Sequence, residues 1–352
     1  MKIKLAVNLK KSVLALGSQT KNTVCFAKNN YAYISRIHPD LKFERDFADF
    51  EKDVKSLLKK NPRIIATDLH PEYSSTKYAS VLKLRNPAYT VLHHHAHIAS
   101  CMAENGLKNK KVIGVAFDGT GLGADNTLWG GEFLVCDYKS FTRFGHLKNI
   151  PLIGAEKAIL EPIRLLAAWF NFSSKIKTSA IFKNIYRSGF NSPLTSSMGR
   201  LFDAAASLIL GKKNAKFEAE LAIGLEEKAS VFKGKSESFP FKITKIKEEY
   251  IIDPLPTLKA IIKDLKLKLK KSQIAFKFHQ TIAVIITKVC LNLRKDTGIN
   301  IVVLSGGVFQ NKLLLKLVLD LLYKNNFNAL THKSLSCNDS SISLGQAVIA
   351  GL

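Results

Sequence analysis

The chain has 352 residues, 46% of them hydrophobic, enough to bury a large core as one bilobal domain or two small ones, which excludes a disordered chain. Its 53 Lys and Arg against 28 Asp and Glu give a formal net charge of +25, a field that attracts phosphates and acidic partners. No charge-free run of about 18 apolar residues occurs and Met1-Lys2-Ile3-Lys4 opens no signal peptide, which argues against a membrane span and for a cytoplasmic location.

Apolar runs at 12–16, 23–27 and 31–35, separated by polar turns, predict a meander of strands. A helix is predicted over 43–60, a buried strand at 63–67, a helix after Pro71, a short strand at 89–92 and a helix from His95 to Asn105. A second round starts at Lys111 with strands at 112–117, 127–136 and 141–147. It closes with a strand at 301–304, a helix over 307–323, a strand near 327–331 and a helix from Ser340. The two rounds share one order, so the chain reads as an α/β protein duplicated in architecture but not in residues. A long helical insert, 155–295, interrupts the second round. The polar run 105–111 is the candidate boundary between an N-terminal lobe, 1–108, and a C-terminal lobe, 109–352. Two such lobes leave a cleft at the ends of their strands, where ligands of open α/β sheets bind.

The run 259–271, KAIIKDLKLKLKK, alternates lysine with Leu and Ile and not with aromatics that would stack bases. A solvated helix face accounts for it, and nucleic acid is a partner that charge permits but no stacking pattern favours. The five cysteines (Cys25, Cys101, Cys136, Cys290, Cys337) contain no C-x-x-C pair, so they read as reduced thiols.

In His93-His94-His95-Ala96-His97, positions 93 and 97 share one helix face, a spacing that lets two imidazoles bind one metal ion; a capping or core role uses the same spacing. A carboxylate would complete such a site where the metal meets phosphate, and Asp339 is the candidate, although Asp also caps helices. The stretch 115–123, VAFDGTGLG, runs from a strand into a predicted glycine-rich turn. There bare backbone can approach phosphate, Thr120 adds a hydroxyl and Asp118 can orient a metal or a water; a hairpin without ligand would also use glycine. Ser305-Gly306-Gly307 follows a strand and opens a helix in the same manner. Neither G-x-x-x-x-G-K-[ST] nor G-x-G-x-x-G occurs.

The strings DLHPEYSSTKYA (68–79), HHHAHIASCMAE (93–104), FDGTGLGADNTLWGGEF (117–133), SSMGRLFDAAASL (196–208), FKFHQTIA (276–283), LSGGVFQNKLLL (304–315) and NDSSISLGQAVIA (338–350) resemble, in order and spacing, successive motifs of the HypF family of [NiFe]-hydrogenase maturation carbamoyltransferases. The resemblance covers the C-terminal region of that family, which is similar to the tRNA threonylcarbamoyl transferase TsaD. It implies an actin-like ATPase fold, two RNase H-like lobes with a nucleotide cleft between them. It implies that His93, His97 and Asp339 bind one divalent metal, iron, zinc or magnesium. Asp118, Gly119, Thr120 and Gly121 match the phosphate-facing turn of the second lobe, and Gly17 with Lys21 that of the first; Asp118, Thr120 and Lys21 form the implied catalytic set. Gly306, Gly307 and Asn311 match the nucleotide-contacting segment. Asp203 matches the acid that reaches the ribose, with Glu218 or Glu220 assisting. Where the family has glycines or a Gly-Gly-Asp, this chain has Ser18, Ser340-Ser341 and Gly154-Ala155-Glu156.

The implied activity is transfer of carbamoyl from carbamoyl-adenylate, formed from carbamoyl phosphate and ATP, to the C-terminal cysteine thiolate of a HypE-like acceptor. The family's acylphosphatase-like segment, zinc fingers and carbamoyl-adenylate-forming domain are not among these residues, so a separate chain is expected to supply them. The rival readings are an O-carbamoyl or tRNA-directed carbamoyl transferase, which the positive charge supports, and a non-catalytic nucleotide-binding scaffold.

Overall fold

The computed structural model describes residues 1–82, 88–171, 180–234 and 236–352. Part of the expected insert, 172–179 and 235, lies outside the described residues. The first sheet has six strands in the order Lys2–Lys4, Tyr31–Ile34, Cys25–Lys28, Val13–Ala15, Ile64–Asp68, Tyr89–Val91. The second sheet runs Lys242–Ile246, Glu249–Asp253, Phe141–Leu147, Leu128–Cys136, Val112–Leu122, Ile301–Ser305, Asn328–Leu330. The five strands that each round was expected to hold have the same arrangement in both: an antiparallel meander whose first strand pairs in parallel with the fourth, and the fourth with the fifth. This is the duplicated α/β architecture of the actin-like fold.

The last helix of each round lies across the other round's sheet. His93–Glu104 packs on Val112–Leu122 and Ile301–Ser305, while Ile342–Gly351 packs on Val13–Ala15, Cys25–Lys28 and Ile64–Asp68. Every residue of Ile342–Gly351 is buried, as expected for a helix apolar all round and enclosed on all sides. The two helices touch where Gly345 lies against the backbone of Ala96; a Cβ there would overlap the Ala96 carbonyl oxygen. Both helix starts therefore meet between the sheets, at the carboxyl ends of the parallel strands.

Three features differ from the sequence reading. The predicted turn at Asp118–Gly121 is strand, because Val112–Leu122 continues with Trp129 opposite Gly121 and a bulge before Gly131. The reversal comes later, at Gly123, whose N–H bonds Thr127 O, with Asn126 at φ 60°. The insert is not wholly helical, since the Lys242–Ile246 and Glu249–Asp253 hairpin extends the second sheet beside Phe141–Leu147. The lysine-rich run 259–271 is not one helix either. Leu255–Lys266 ends, Lys268 turns left-handed at φ 56°, and Lys271–Thr297 begins; Leu267 and Leu269 face solvent, so no burial holds the helix together there. The 27-residue Lys271–Thr297 helix is long and apolar enough to cross a membrane, yet 67% of its apolar stretch is buried inside the protein, as in a core helix.

Candidate metal and nucleotide centre

The His93–Glu104 helix begins two residues earlier than predicted, with extended Leu92 before it, and so places both His93 and His97 on helical backbone. Their imidazoles lie 5.0 Å apart and point at the same space. Asp118 reaches it from the second sheet, its Oδ2 3.3 Å from His93 Nε2 and 3.4 Å from His97 Nε2. Asp339 reaches it from the start of the other closing helix, its Oδ1 3.8 Å from His93 Nε2 and 3.7 Å from His97 Nε2. Asn338, not Asp339, caps that turn by accepting from Ser340 N, which leaves the Asp339 carboxylate free for the cluster. The donor atoms of all four residues lie within 4.8 Å of one another.

His97 Nε2 is buried and has no hydrogen-bond partner among the described residues, an arrangement that an ion bound there would explain. Two imidazoles and two carboxylates suit a divalent cation of intermediate hardness, so the residues fit a metal. Charge agrees. Burial alone would neutralise His93, yet the surrounding Asp68, Asp339 and Asp118 hold its pKa well above the ordinary histidine range. Asp118 is held well below the usual carboxylate range because His93 and His97 overcome its burial, whereas burial, with Asp118 beside it, raises Asp339.

A second set of residues supports these donors, and sequence reasoning missed their roles. Asp68, at the end of a buried strand, contacts His93 Nδ1 at 2.8 Å. Ser305 Oγ lies 3.5 Å from His97 Nδ1 and 2.9 Å from His332 Nε2, and His332 Nδ1 meets Glu104 Oε2 at 2.8 Å. Only the terminal position of Asp68 on its strand hinted at this in the sequence.

The nucleotide candidates are less uniform. Gly17, at φ 72°, has its N–H tied to Gln346 Oε1 at 2.9 Å. Lys21 is exposed, also left-handed at φ 46°, and its charge lowers the pKa of Asp339. Thr120 is half-buried with no hydrogen bond to its hydroxyl among the described residues. Gly121 lies against the rings of His93 and His94. Gly306 is pressed on the Phe117 carbonyl, and the Gly307 N–H is already given to Asp118 Oδ1 at 2.9 Å, so this pair joins neighbouring strands. Asn311 caps the Lys312–Lys324 helix by accepting from Leu314 N, and its amide meets His279 Nε2 at 2.9 Å. Asp203 is buried against Arg200, whose other edge faces Glu218, and burial pushes its carboxyl up to about 6 against the pull of Arg200. Glu220 pairs instead with Lys212 at 3.7 Å.

Residues 8–104 match the family model described as HypF Kae1-like domain, and residues 114–346 the model described as Carbamoyltransferase, Kae1-like Domain, second subdomain. The chain is 35% identical to Carbamoyltransferase HypF of Synechocystis sp., covering 96% of this chain and 46% of that protein. It is 32% identical to the Carbamoyltransferase HypF homolog of Cupriavidus necator, covering 96% of this chain and 91% of that one. A crystal structure of full-length HypF in the phosphate- and nucleotide-bound form superposes with a TM-score of 0.92 at 41% identity, over 99% of this chain and 47% of that one. The chain thus spans about half the length of the Synechocystis protein and of the solved HypF. With both halves matched in order and the fold shared throughout, the chain belongs to the HypF family, in its Kae1-like region.

Proposed function

We propose that the chain is a carbamoyltransferase that moves carbamoyl from carbamoyl-adenylate to the C-terminal cysteine thiolate of a HypE-like acceptor in hydrogenase maturation. The observation that carries this reading is the convergence of His93, His97, Asp118 and Asp339 within 4.8 Å, on and beside the strand that also carries Gly119 and Gly121. These four residues would hold a divalent cation, which supplies positive charge against the phosphate and the developing carbonyl oxyanion. Thr120 offers the phosphate a hydroxyl, and Lys21 adds a cation on the side of Asp339.

None of the five cysteines is a ready nucleophile. Burial raises the pKa of all five thiols, Cys25 and Cys337 to about 12, so the attacking sulfur is assigned to the acceptor. That sulfur forms a C–S bond to the carbamoyl carbon as the carbon–oxygen bond to the adenylate phosphate breaks, and AMP leaves with the bonding pair. What the cleft contributes is position and charge.

Mass spectrometry of the acceptor after incubation with carbamoyl phosphate and ATP tests the reading. One arm holds this chain alone and another adds the remaining segment of a full-length relative. Addition of one carbamoyl group to the cysteine in the second arm, lost with His93→Ala/His97→Ala, is expected. An unmodified acceptor in both arms overturns the reading, and tRNA modified in place of the cysteine moves the activity to another acceptor class.

A further inference from the structure

The Met198–Leu210 helix is clamped onto the strand that carries Asp118. Its cap, Ser197, accepts from Arg200 N at 3.1 Å and lies against the carbonyl oxygens of Asp118 and Gly119. Gly199 lies flat on the strand, where a Cβ would come within 3.0 Å of the Gly119 Cα. The next residue, Arg200, is 2% exposed. Its Nε is 3.0 Å from Asp203 Oδ2, but neither atom is directed well enough for a hydrogen bond, and Nη1 has no partner among the described residues. A buried guanidinium with unused N–H groups is an expensive arrangement for a folded protein to keep.

The outer edge of the guanidinium faces Glu218. Arg200 Nη2 is 3.5 Å from Glu218 Oε1, on a side chain 59% exposed, so that partner is loosely held. The same oxygen stands 3.0 Å from the point where a Cβ on Gly119 would lie. The space that Gly119 leaves open is thus filled by a carboxylate oxygen paired to an arginine. Gly119 directly follows Asp118 in the strand, so the Arg200–Glu218 pair that faces Gly119 lies beside the metal-type cluster.

We infer that Arg200 is the phosphate-binding residue of the cleft, that Asp203 behind it is a positioning residue, and that Glu218 covers it until an anionic ligand displaces the carboxylate. This rests on the nucleotide reading above. A planar guanidinium matches two phosphate oxygens at once, which a carboxylate oxygen at the same place mimics. Asp203, 3% exposed, is turned to Arg200, a positioning role in contrast with the ribose contact that the family resemblance implies.

Calorimetric titration in EDTA, which removes any contribution of metal, with AMP, adenosine and inorganic phosphate tests the inference. Glu218→Gln is expected to tighten AMP several-fold and leave adenosine unchanged. Arg200→Gln is expected to weaken AMP by about 10-fold to 100-fold, the worth of a charge-assisted hydrogen bond, again sparing adenosine. Arg200→Lys should recover part of the loss, and Asp203→Asn should weaken AMP while sparing adenosine. Asp203→Asn weakening adenosine as much as AMP restores the ribose role and overturns the positioning role. Arg200→Gln binding AMP like the wild type, with an unchanged circular dichroism spectrum, overturns the inference, as does Glu218→Gln failing to tighten it. Should the wild type bind neither AMP nor adenosine, the nucleotide reading fails. Phosphate then decides: saturable binding gained by Glu218→Gln and lost in Glu218→Gln/Arg200→Gln keeps Arg200 as an anion site, and no binding by either removes it.

Discussion

His93 Nδ1 lies 2.8 Å from Asp68 Oδ2, and both side chains are fully buried. The carboxylate orients the ring and keeps a proton on Nδ1, so Nε2, turned to Asp118 and Asp339, is the nitrogen that would exchange its proton for a metal ion. Partners of this kind typically contribute 10-fold to 100-fold to metal affinity. Asp68→Asn is therefore expected to lower divalent-metal affinity by about that factor, and His93→Ala/His97→Ala to abolish stoichiometric metal. Chelator competition and elemental analysis read both; equal metal content in the double variant and the wild type would remove the metal assignment.

The contact of Gly345 with Ala96 predicts a stability effect away from the chemistry. An added methyl would overlap the Ala96 carbonyl oxygen and push the closing helices apart. Gly345→Ala is expected to destabilise by about 1–3 kcal/mol or more in urea unfolding, as overpacking does. Gly106→Ala is the comparison, since Gly106 has φ 67° but nothing within 4 Å of a new Cβ, so only backbone strain of about 1 kcal/mol is added. Equal losses in the two variants would show that the helices can part freely.

That contact also marks where the sequence stops informing. The order of strands was legible because apolar runs and turns alternate twice, and the pairing of His93 with His97 because they are four apart. Nothing in ILE-ALA-GLY-type patterning tells which sheet a helix covers, so the exchange of Ile342–Gly351 and His93–Glu104 between the sheets was not legible. The glycines of Asp118–Gly121 suggested a reversal. Instead Gly119 and Gly121 stay in the strand and make room for Glu218 and the histidine rings. Arg200 escaped notice because a buried arginine is spelled like an exposed one, and only its i,i+3 partner Asp203 gave a signal.

Acid should weaken the fold through His279. Its Nδ1 donates to Ala275 O at 2.8 Å, Asn311 donates to its Nε2 at 2.9 Å, and burial pushes its pKa down to about 4 from 6.5. The folded state takes up this proton later than the unfolded one, so the contribution is whole above pH 6.5 and is lost as pH falls toward 4. At about 1.4 kcal/mol per unit the loss is on the order of 3 kcal/mol. Buried His94 and His332 shift the same way, so the effect of His279 is read as a difference. His279→Gln should show a shallower fall in urea stability between pH 7.5 and 5 than the wild type; parallel falls would mean that His279 does not titrate in this range.

Two glycines two positions apart, Gly119 and Gly121, should respond differently. A Cβ on Gly121 would stand 2.7 Å from His93 Cδ2 and 2.8 Å from His94 Cε1, and His93 is held between Asp68 and Asp118, so it cannot yield without leaving one of them. Gly121→Ala is therefore expected to weaken divalent-metal binding by about 10-fold or more, by disturbing the orientation that Asp68 sets, and to destabilise the fold by about 1–3 kcal/mol. On Gly119 the new methyl meets the exposed end of Glu218 at 3.0 Å, a flexible side chain that can swing into solvent, and Arg200 Nη2 at an ordinary contact distance of 3.9 Å. Gly119→Ala should leave metal affinity and stability near the wild type and alter only what binds over the strand. Titration of both variants with manganese and zinc, beside urea unfolding, separates the two, and metal loss in Gly119→Ala equal to that in Gly121→Ala would mean that the strand, not the ring contact, governs the site.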